Sequence, residues 1–256
     1  MVKRATSQSA SSSSSSSSLI ASTAALRKAL SRYDEALEAR AKSYARCAEL
    51  VELDGWYRKD LWLVIRRRDQ AVQESGSISE RHLQLEELCK VMKWKLTRGS
   101  FRPKLLSLVE SNSSDVVRET TLRAWREVQT SPDEAIKALS ELKGVGPATA
   151  TAILCALTLG QYAFMSDAAM ERACGMKPEY TAKAAKHFRI KMQERMDKDE
   201  PRWKSLDELE RAAWAFHTLS RLDGDAPTNQ LPPQTKRKAA SPLAQTEGRS
   251  PRRKKV

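Results

Sequence analysis

Two glycines flank a valine at Gly144-Val145-Gly146, and Pro147 follows at once. Proline is favoured at the first position of a helix, so a helix is predicted to begin there. The glycines leave the backbone amides of the turn bare, beside the positive end of the helix dipole. Backbone amides arranged in this way can bind a phosphate oxygen without a charged side chain. The chemistry predicted for this turn is therefore phosphate binding, with Lys143 adding positive charge.

A second candidate for phosphate contact is the segment 90–104, which contains basic residues and no acidic residue. Basic side chains neutralise phosphates, and the aromatic rings of Trp94 and Phe101 can stack on bases. The alternative is a helix with a solvated basic face and Trp94 in the core. The DNA contacts predicted in this segment are Lys93, Lys95, Arg98, Arg102 and Lys104.

Two helices must position the glycine turn. The pattern Ser131-Pro132-Asp133-Glu134 predicts a capping box with proline at the first helical position. The helix that it opens ends at Lys143. The alanines after Pro147 supply the small face that two closely crossing helices need.

The stretch Leu142–Ala150 reads L-K-G-V-G-P-A-T-A. It resembles the helix–hairpin–helix motif, usually L-P-G-[IV]-G-x-x-x-A, of proteins that bind DNA without sequence specificity. Lys143 replaces the usual proline. The alternative is an ordinary αα-hairpin in which the glycines only relieve steric crowding. The resemblance implies DNA binding through the phosphate backbone by Lys143, Gly144, Val145 and Gly146.

Asp167 lies 21 residues beyond Gly146 and precedes a helical pattern. The chain resembles the helix–hairpin–helix DNA glycosylase superfamily, in which the catalytic aspartate occurs at about this distance. The resemblance implies that Asp167 stabilises an oxocarbenium-like sugar or orients the attacking water. The alternative is that Ser166 and Asp167 are preferred helix N-caps without a catalytic role.

The resemblance also implies what such an enzyme would lack. Superfamily members that cut the strand carry a Schiff-base lysine two residues after the second glycine, where this chain has Ala148. Any enzyme here should therefore be a monofunctional DNA N-glycosylase without lyase activity. The four cysteines form no C-x-x-C pair and the three histidines are isolated, so we expect no metal and no cofactor.

The body of the chain is predicted to be helical. Ala and Leu dominate over Val, Ile and the 9 Gly, and apolar residues recur with a 3.6-residue period. The predicted fold class is all-α, a multi-helix domain containing a helix–hairpin–helix motif, with disordered termini. A long helix is expected near 24–52, where Gly55 interrupts it, and a second one from Trp56 past Arg68. Further helices are expected to end at Gly99, to begin at Pro103 and to cover 116–128. A capping box at Ser205–Glu208 predicts the last helix.

Composition changes sharply at both ends, and Ser11 to Ser18 is an unbroken serine run. Serine tracts and Pro/Gln/Ser-rich basic segments bury too little apolar surface to fold. Ser75-Gly76-Ser77 is a polar break and a candidate boundary. The predicted organisation is a disordered N-terminus at 1–22, an N-terminal helical segment at 23–75, a helix–hairpin–helix glycosylase-like domain at 78–224, and a disordered basic tail at 225–256.

The formal charge of +13 is concentrated in that tail, which has eight basic and two acidic residues. Two basic clusters resemble a bipartite nuclear import signal. The alternative is a solubilising or loosely nucleic-acid-binding tail. The signal predicts a nuclear location and an import receptor as partner, and its residues are Lys236, Arg237, Lys238, Arg252, Arg253, Lys254 and Lys255.

Other function classes are excluded or left open. No apolar run approaches the roughly 18–20 residues of a membrane span, and no signal peptide is expected. The leading hypothesis is a nuclear helix–hairpin–helix protein that binds DNA through phosphate contacts. In the enzymatic version of this hypothesis it is a monofunctional DNA N-glycosylase of base excision repair. The alternatives are a DNA- or chromatin-associated adaptor with a glycosylase-like fold, or a helical protein-interaction module.

Overall fold

The protein is represented by a computed structural model that describes residues 20–74 and 80–222. These residues are helical, with no strand among them. The all-α prediction is confirmed. The α-helices are α1 (Thr23–Leu30), α2 (Tyr33–Ser43), α3 (Leu50–Gly55), α4 (Leu61–Glu74), α5 (Leu85–Arg98), α6 (Lys104–Glu110), α7 (Ser114–Val128), α8 (Pro132–Leu139), α9 (Pro147–Leu157), α10 (Ala182–Lys198) and α11 (Leu206–Leu222).

Helix α9 forms the centre of the core. It has no charged residue, and every residue from Ala148 to Leu157 is buried. A helix that is apolar on all sides must be surrounded by other elements. Helices α4, α5, α7, α8 and α10 pack around it. The helix that follows the glycine turn is thus held rigidly, and only its N-terminal end meets the surface.

The helices on both sides of residues 75–79 contribute to the same core. Tyr57 stacks on Trp94 of α5 with 3.8 Å between ring centroids, and its hydroxyl donates to the carbonyl of Ala152 at 2.6 Å. Helix α1 packs along α11. The predicted boundary at Ser75–Ser77 lies outside the described residues, and described residues before and after it belong to one compact unit.

The predicted helix over 24–52 is wrong, because the chain breaks twice within it. Arg32 has φ −109° and ψ 22°, outside the helical region, and separates α1 from α2. Tyr44 is extended, with a 3₁₀ turn, Ala45–Cys47, after it. The thiol of Cys47 donates to the carbonyl of Thr97 at 3.2 Å and ties that turn to α5. A tertiary contact holds the second break, whereas at the first break Arg32 pairs locally with Glu35. The hydrophobic period of the sequence runs on through both.

Gly55 does not interrupt a helix, contrary to the prediction. It has helical φ −59° and ψ −48°, and the chain continues through a π-helical turn, Trp56–Asp60, into α4. An interior glycine costs about 1 kcal/mol relative to alanine. Burial of Tyr57 and Leu61 directly after it offsets that cost.

Several local signals are confirmed. Helix α5 ends at Arg98 with Gly99 as its C-cap, Pro103 precedes α6, and α7 covers the predicted 116–128. The Ser131 capping box does not form, since no side chain caps α8, although Pro132 does occupy the first turn.

The capping box before α11 is half formed. The Ser205 hydroxyl accepts from the amide of Glu208 at 3.1 Å, as predicted. The carboxylate of Glu208 accepts from the amide of Lys204 at 2.7 Å.

Candidate nucleic-acid interface

The glycine turn joins α8 to α9 through a tight reversal. The amide of Val145 donates to the carbonyl of Leu142 at 3.0 Å, and Gly144 between them has φ +78°. A positive φ at the third residue of such a turn is typical of type II geometry, which favours glycine. Because the amide of Val145 closes this turn, its predicted role as a phosphate donor is corrected: Val145 holds the turn and its side chain is buried.

Asn112, just beyond α6, fixes the turn from outside. Its side-chain amide donates to the carbonyl of Lys143 at 3.1 Å, and its carbonyl oxygen accepts from the amide of Lys143 at 2.9 Å. The ammonium group of Lys143 reaches the carbonyl of Ser111 at 3.5 Å. This two-way clamp was not predicted, since Asn112 is 31 residues away and carries no local pattern.

The two glycines of the turn have different surroundings. A Cβ on Gly144 would lie 2.9 Å from the carbonyl oxygen of Leu105 and 3.0 Å from side chains of Leu108 and Val109. A Cβ on Gly146 would meet nothing within 4 Å. Gly144 therefore lets the turn pack on α6, whereas Gly146 borders open space.

The start of α9 faces that open space. Gly146 is the N-cap, with φ −110° and ψ −179°, and no side chain caps the helix. An uncapped N-terminus presents amides that need an acceptor, together with the positive end of the dipole. Pro147 has no amide hydrogen, so the backbone donors of the first turn are the amides of half-buried Gly146 and of Ala148 and Thr149, which are 7% and 2% exposed.

Arg98 is not part of any DNA-binding surface, which corrects the prediction. Its side chain is 1% exposed, and its guanidinium donates to both carboxylate oxygens of Glu210 at 2.7 and 2.9 Å. Arg58 lies 3.4 Å from the same carboxylate and 3.3 Å from that of Asp207. Despite the cost of burial, the neighbouring Glu210 raises the pKa of Arg98, which stays charged inside the core.

The other predicted basic residues point in different directions. Lys93 pairs with Glu49 and lines a cavity of about 590 Å³ with other acidic residues. Trp94 is fully buried, and its indole NH donates to Asp54 at 2.8 Å, so it cannot stack on a base. Arg102 and Lys104 are exposed at the beginning of α6.

Asp167 lies in a small cluster of polar side chains. The hydroxyl of Tyr180 donates to its carboxylate at 2.5 Å, and the guanidinium of Arg102 lies 5.3 Å from the Tyr180 ring. Lys95 lies within electrostatic range of this cluster: burial and the charge of Arg102 lower its pKa to about 8, against the opposing effect of Asp167. The structure thus links Arg102 and Asp167 through Tyr180, with Lys95 in electrostatic range of both.

Ser166, and not Asp167, caps the helical turn that follows. Its hydroxyl accepts from the amide of Ala169 at 3.1 Å and donates to Glu210 at 2.6 Å. The carboxylate of Asp167 is left for the cluster with Tyr180. The buried pair of Arg98 and Glu210 therefore anchors the residue next to Asp167. Tyr180 and Glu210 gave no sequence signal for these roles.

The Asp167 cluster and the glycine turn lie at two ends of one short segment. Arg102 contacts the cluster, and Leu105 contacts the turn at Gly144. Met165, two residues before Asp167, donates its amide to the hydroxyl of Thr151 in α9 at 2.9 Å, so the segment that carries Asp167 packs against the helix that follows the glycine turn. The Cα atoms of Arg102 and Leu105 are at most about 11 Å apart. The exposed side chain of Lys104 lies on the segment between them.

Two further expectations concern metals and membranes. The described residues contain no group of His, Cys, Asp and Glu arranged to hold a metal ion. Burial lowers the pKa of His82, and lowers that of His217 to about 3, with neighbouring arginines contributing in both cases.

In the described ranges no helix is long and apolar enough to cross a membrane. The predicted import signal and the serine run lie outside these residues.

Comparison of the chain with protein-family models, with curated proteins and with solved structures finds no match. We therefore infer the function from the geometry of the glycine turn and the Asp167 cluster.

Proposed function

We propose that this protein binds DNA through the glycine turn and the start of α9, without sequence specificity. The observation that carries the proposal is the difference between the two glycines: Gly144 packs on α6, while Gly146 opens to the surface at an uncapped helix start. A phosphate oxygen fits there as an acceptor for the free amides. Lys143, Arg102 and Lys104 supply the charge that attracts the backbone.

The chemistry that this surface supports best is cleavage of an N-glycosidic bond by a monofunctional DNA glycosylase. Asp167 lies in the segment that packs against α9, and its carboxylate is not used as a helix cap. With a damaged base rotated out of the duplex, this carboxylate would stabilise the positive charge on the sugar or orient water. Tyr180 and Lys95 would position it by hydrogen bonding and charge.

A second candidate keeps the DNA contact and lacks the chemistry. It is favoured by the hydrogen bond from the Tyr180 hydroxyl, which already engages the carboxylate of Asp167 at 2.5 Å. A DNA- or chromatin-associated adaptor needs no pocket for a base. The further alternative, a helical protein-interaction module, needs no phosphate contact. A measurement of DNA binding therefore separates it from the glycosylase and from the adaptor.

The test of DNA binding is the variant Gly146→Leu, measured by fluorescence anisotropy on a short duplex at several salt concentrations. The leucine projects into open space, so the fold should survive while phosphate is kept away from the amides. Loss of one or two charge-assisted hydrogen bonds predicts about 10- to 100-fold weaker binding.

The matched control is Gly55→Leu, since a Cβ on Gly55 also meets nothing within 4 Å. This variant should bind the duplex like the unmodified protein. Equal affinity of Gly146→Leu and Gly55→Leu would refute the role of the turn.

The test of catalysis is a panel of duplexes with different base lesions, scored for alkali-labile abasic sites. Formation of abasic sites that is lost in Asp167→Asn, with duplex affinity retained, supports the glycosylase. DNA binding without product from any lesion supports the adaptor.

We also propose that the basic clusters of the tail direct the full chain to the nucleus. Replacing Lys236–Lys238 and Arg252–Lys255 by alanine should move a fluorescently tagged full-length protein towards an even distribution in the cell. An unchanged nuclear fraction would contradict the import signal.

A further inference from the structure

A strip of exposed aromatic and cationic side chains lies where α2 and α5 end. Phe101 is 50% exposed and Tyr44 is 43% exposed, although large rings are normally buried. Tyr180, at 39%, extends the strip towards Asp167. These rings are contributed by three separate parts of the chain.

Guanidinium groups lie against these rings. Arg46 lies 4.2 Å from the centroid of Tyr44 and 5.6 Å from that of Phe101. Arg40 lies 5.3 Å from the Tyr44 ring and donates to the carbonyl of Gly99 at 2.7 Å. Arg40, Tyr44, Arg46 and Phe101 thus form a series of neighbouring cations and rings.

The strip is fixed in place before any ligand arrives. The hydrogen bond from Cys47 to Thr97 ties the turn that carries Arg46 to α5. The hydrogen bond from Arg40 to Gly99 ties α2 to the segment that carries Phe101. Preorganised rings lose little conformational freedom when a partner stacks on them.

Acidic side chains near the strip are paired with lysines. Glu38 lies 3.3 Å from Lys42, and Glu49 pairs with Lys93. The strip therefore retains the positive character of Arg40 and Arg46. Exposed rings alternating with cations match a polynucleotide, whose bases stack and whose phosphates carry the negative charge.

We propose that Tyr44, Arg46 and Phe101 form a binding site for unpaired bases of single-stranded DNA. Bases within a duplex are already stacked on each other, so rings on a protein surface can accept only bases that are unpaired. Phe101 directly precedes Arg102, so the strip leads to the Asp167 cluster. The inference goes beyond duplex contact at the glycine turn, and it rests on the proposed function in taking DNA as the polymer.

The experiment compares Phe101→Leu and Tyr44→Leu with the unmodified full chain, using two probes of equal length. One probe is oligothymidylate, and the other has the same sugar–phosphate backbone with abasic spacers. Each variant should bind oligothymidylate about 5- to 100-fold more weakly and the abasic strand with little change. Val51→Ala removes an exposed apolar side chain elsewhere and serves as the control, with unchanged affinity expected.

Duplex binding separates this inference from the proposed function. Gly146→Leu should weaken duplex binding and leave oligothymidylate binding unchanged, whereas the ring variants should do the reverse. If Gly146→Leu leaves duplex affinity unchanged while the ring variants still weaken oligothymidylate binding, the proposed role of the glycine turn is wrong and the base-binding role of the strip is retained. Equal affinity for the oligothymidylate and abasic probes would refute base stacking on the strip. Unchanged affinity in both ring variants would refute it as well.

Discussion

Alanine at Gly144 should destabilise the protein far more than alanine at Gly146. At Gly144 the left-handed φ of +78° costs a residue with a Cβ about 1–2 kcal/mol. The new methyl would also lie 2.9 Å from the backbone oxygen of Leu105, which cannot rotate away. Overpacking of this kind adds about 1–3 kcal/mol. The expected loss for Gly144→Ala is therefore about 2–5 kcal/mol.

Gly146→Ala has neither penalty, because its φ of −110° is open to any residue and its Cβ meets nothing. Exchange of an N-cap glycine for alanine should cost less than about 1 kcal/mol. Urea unfolding followed by circular dichroism measures both values. An equal loss in the two variants, or a larger one at Gly146, would refute the packing of this turn on α6.

Three further predictions concern the residues around the site. Folding lowers the pKa of Lys95 to about 8, so between about pH 8 and 10.5 the unfolded chain binds more protons than the folded one and the free energy of unfolding rises with pH. Lys95→Met should abolish this rise and increase the free energy of unfolding at pH 7 by up to about 3 kcal/mol. Urea unfolding at several pH values measures both effects. Asn112→Ala removes both hydrogen bonds to the backbone of Lys143 and should cost about 1–3 kcal/mol in the same assay, together with weaker duplex binding. Glu210→Gln removes the negative charge that pairs with Arg98 in the core, so the free energy of unfolding should fall by about 3–5 kcal/mol. Thermal unfolding measures this change, and a change below about 1 kcal/mol would contradict the prediction.

Sequence patterns predict the parts of this fold that local chemistry controls. The end of α5 at Gly99, the opening of α6 after Pro103 and the turn before Pro147 all follow from glycine and proline preferences. The breaks at Arg32 and Tyr44 were missed because neither contains a glycine or proline, and the second depends on a contact with the distant helix α5. The interruptions are two residues long before α2 and six residues long before α3, and the apolar spacing of the sequence continues across both.

The candidate site could be predicted only in part, for the same reason. The glycine turn and Asp167 have recognisable spacing, but Asn112, Tyr180 and Glu210 come from distant parts of the chain and meet them only in the fold.

One correction had a usable signal. Arg98 follows Val91 and Trp94 at spacings of seven and four residues, so all three lie towards the buried side of α5. A charge count over 90–104 ignores this periodicity.

The contact between the backbone amides and a phosphate can be observed directly by NMR. In a titration of the ¹⁵N-labelled full chain with a short duplex, the amides of Gly146, Ala148 and Thr149 should shift most and become protected from hydrogen exchange, while the amide of Gly55 stays unchanged. Shifts confined to other helices, with these three amides unaffected, would contradict DNA binding through the glycine turn.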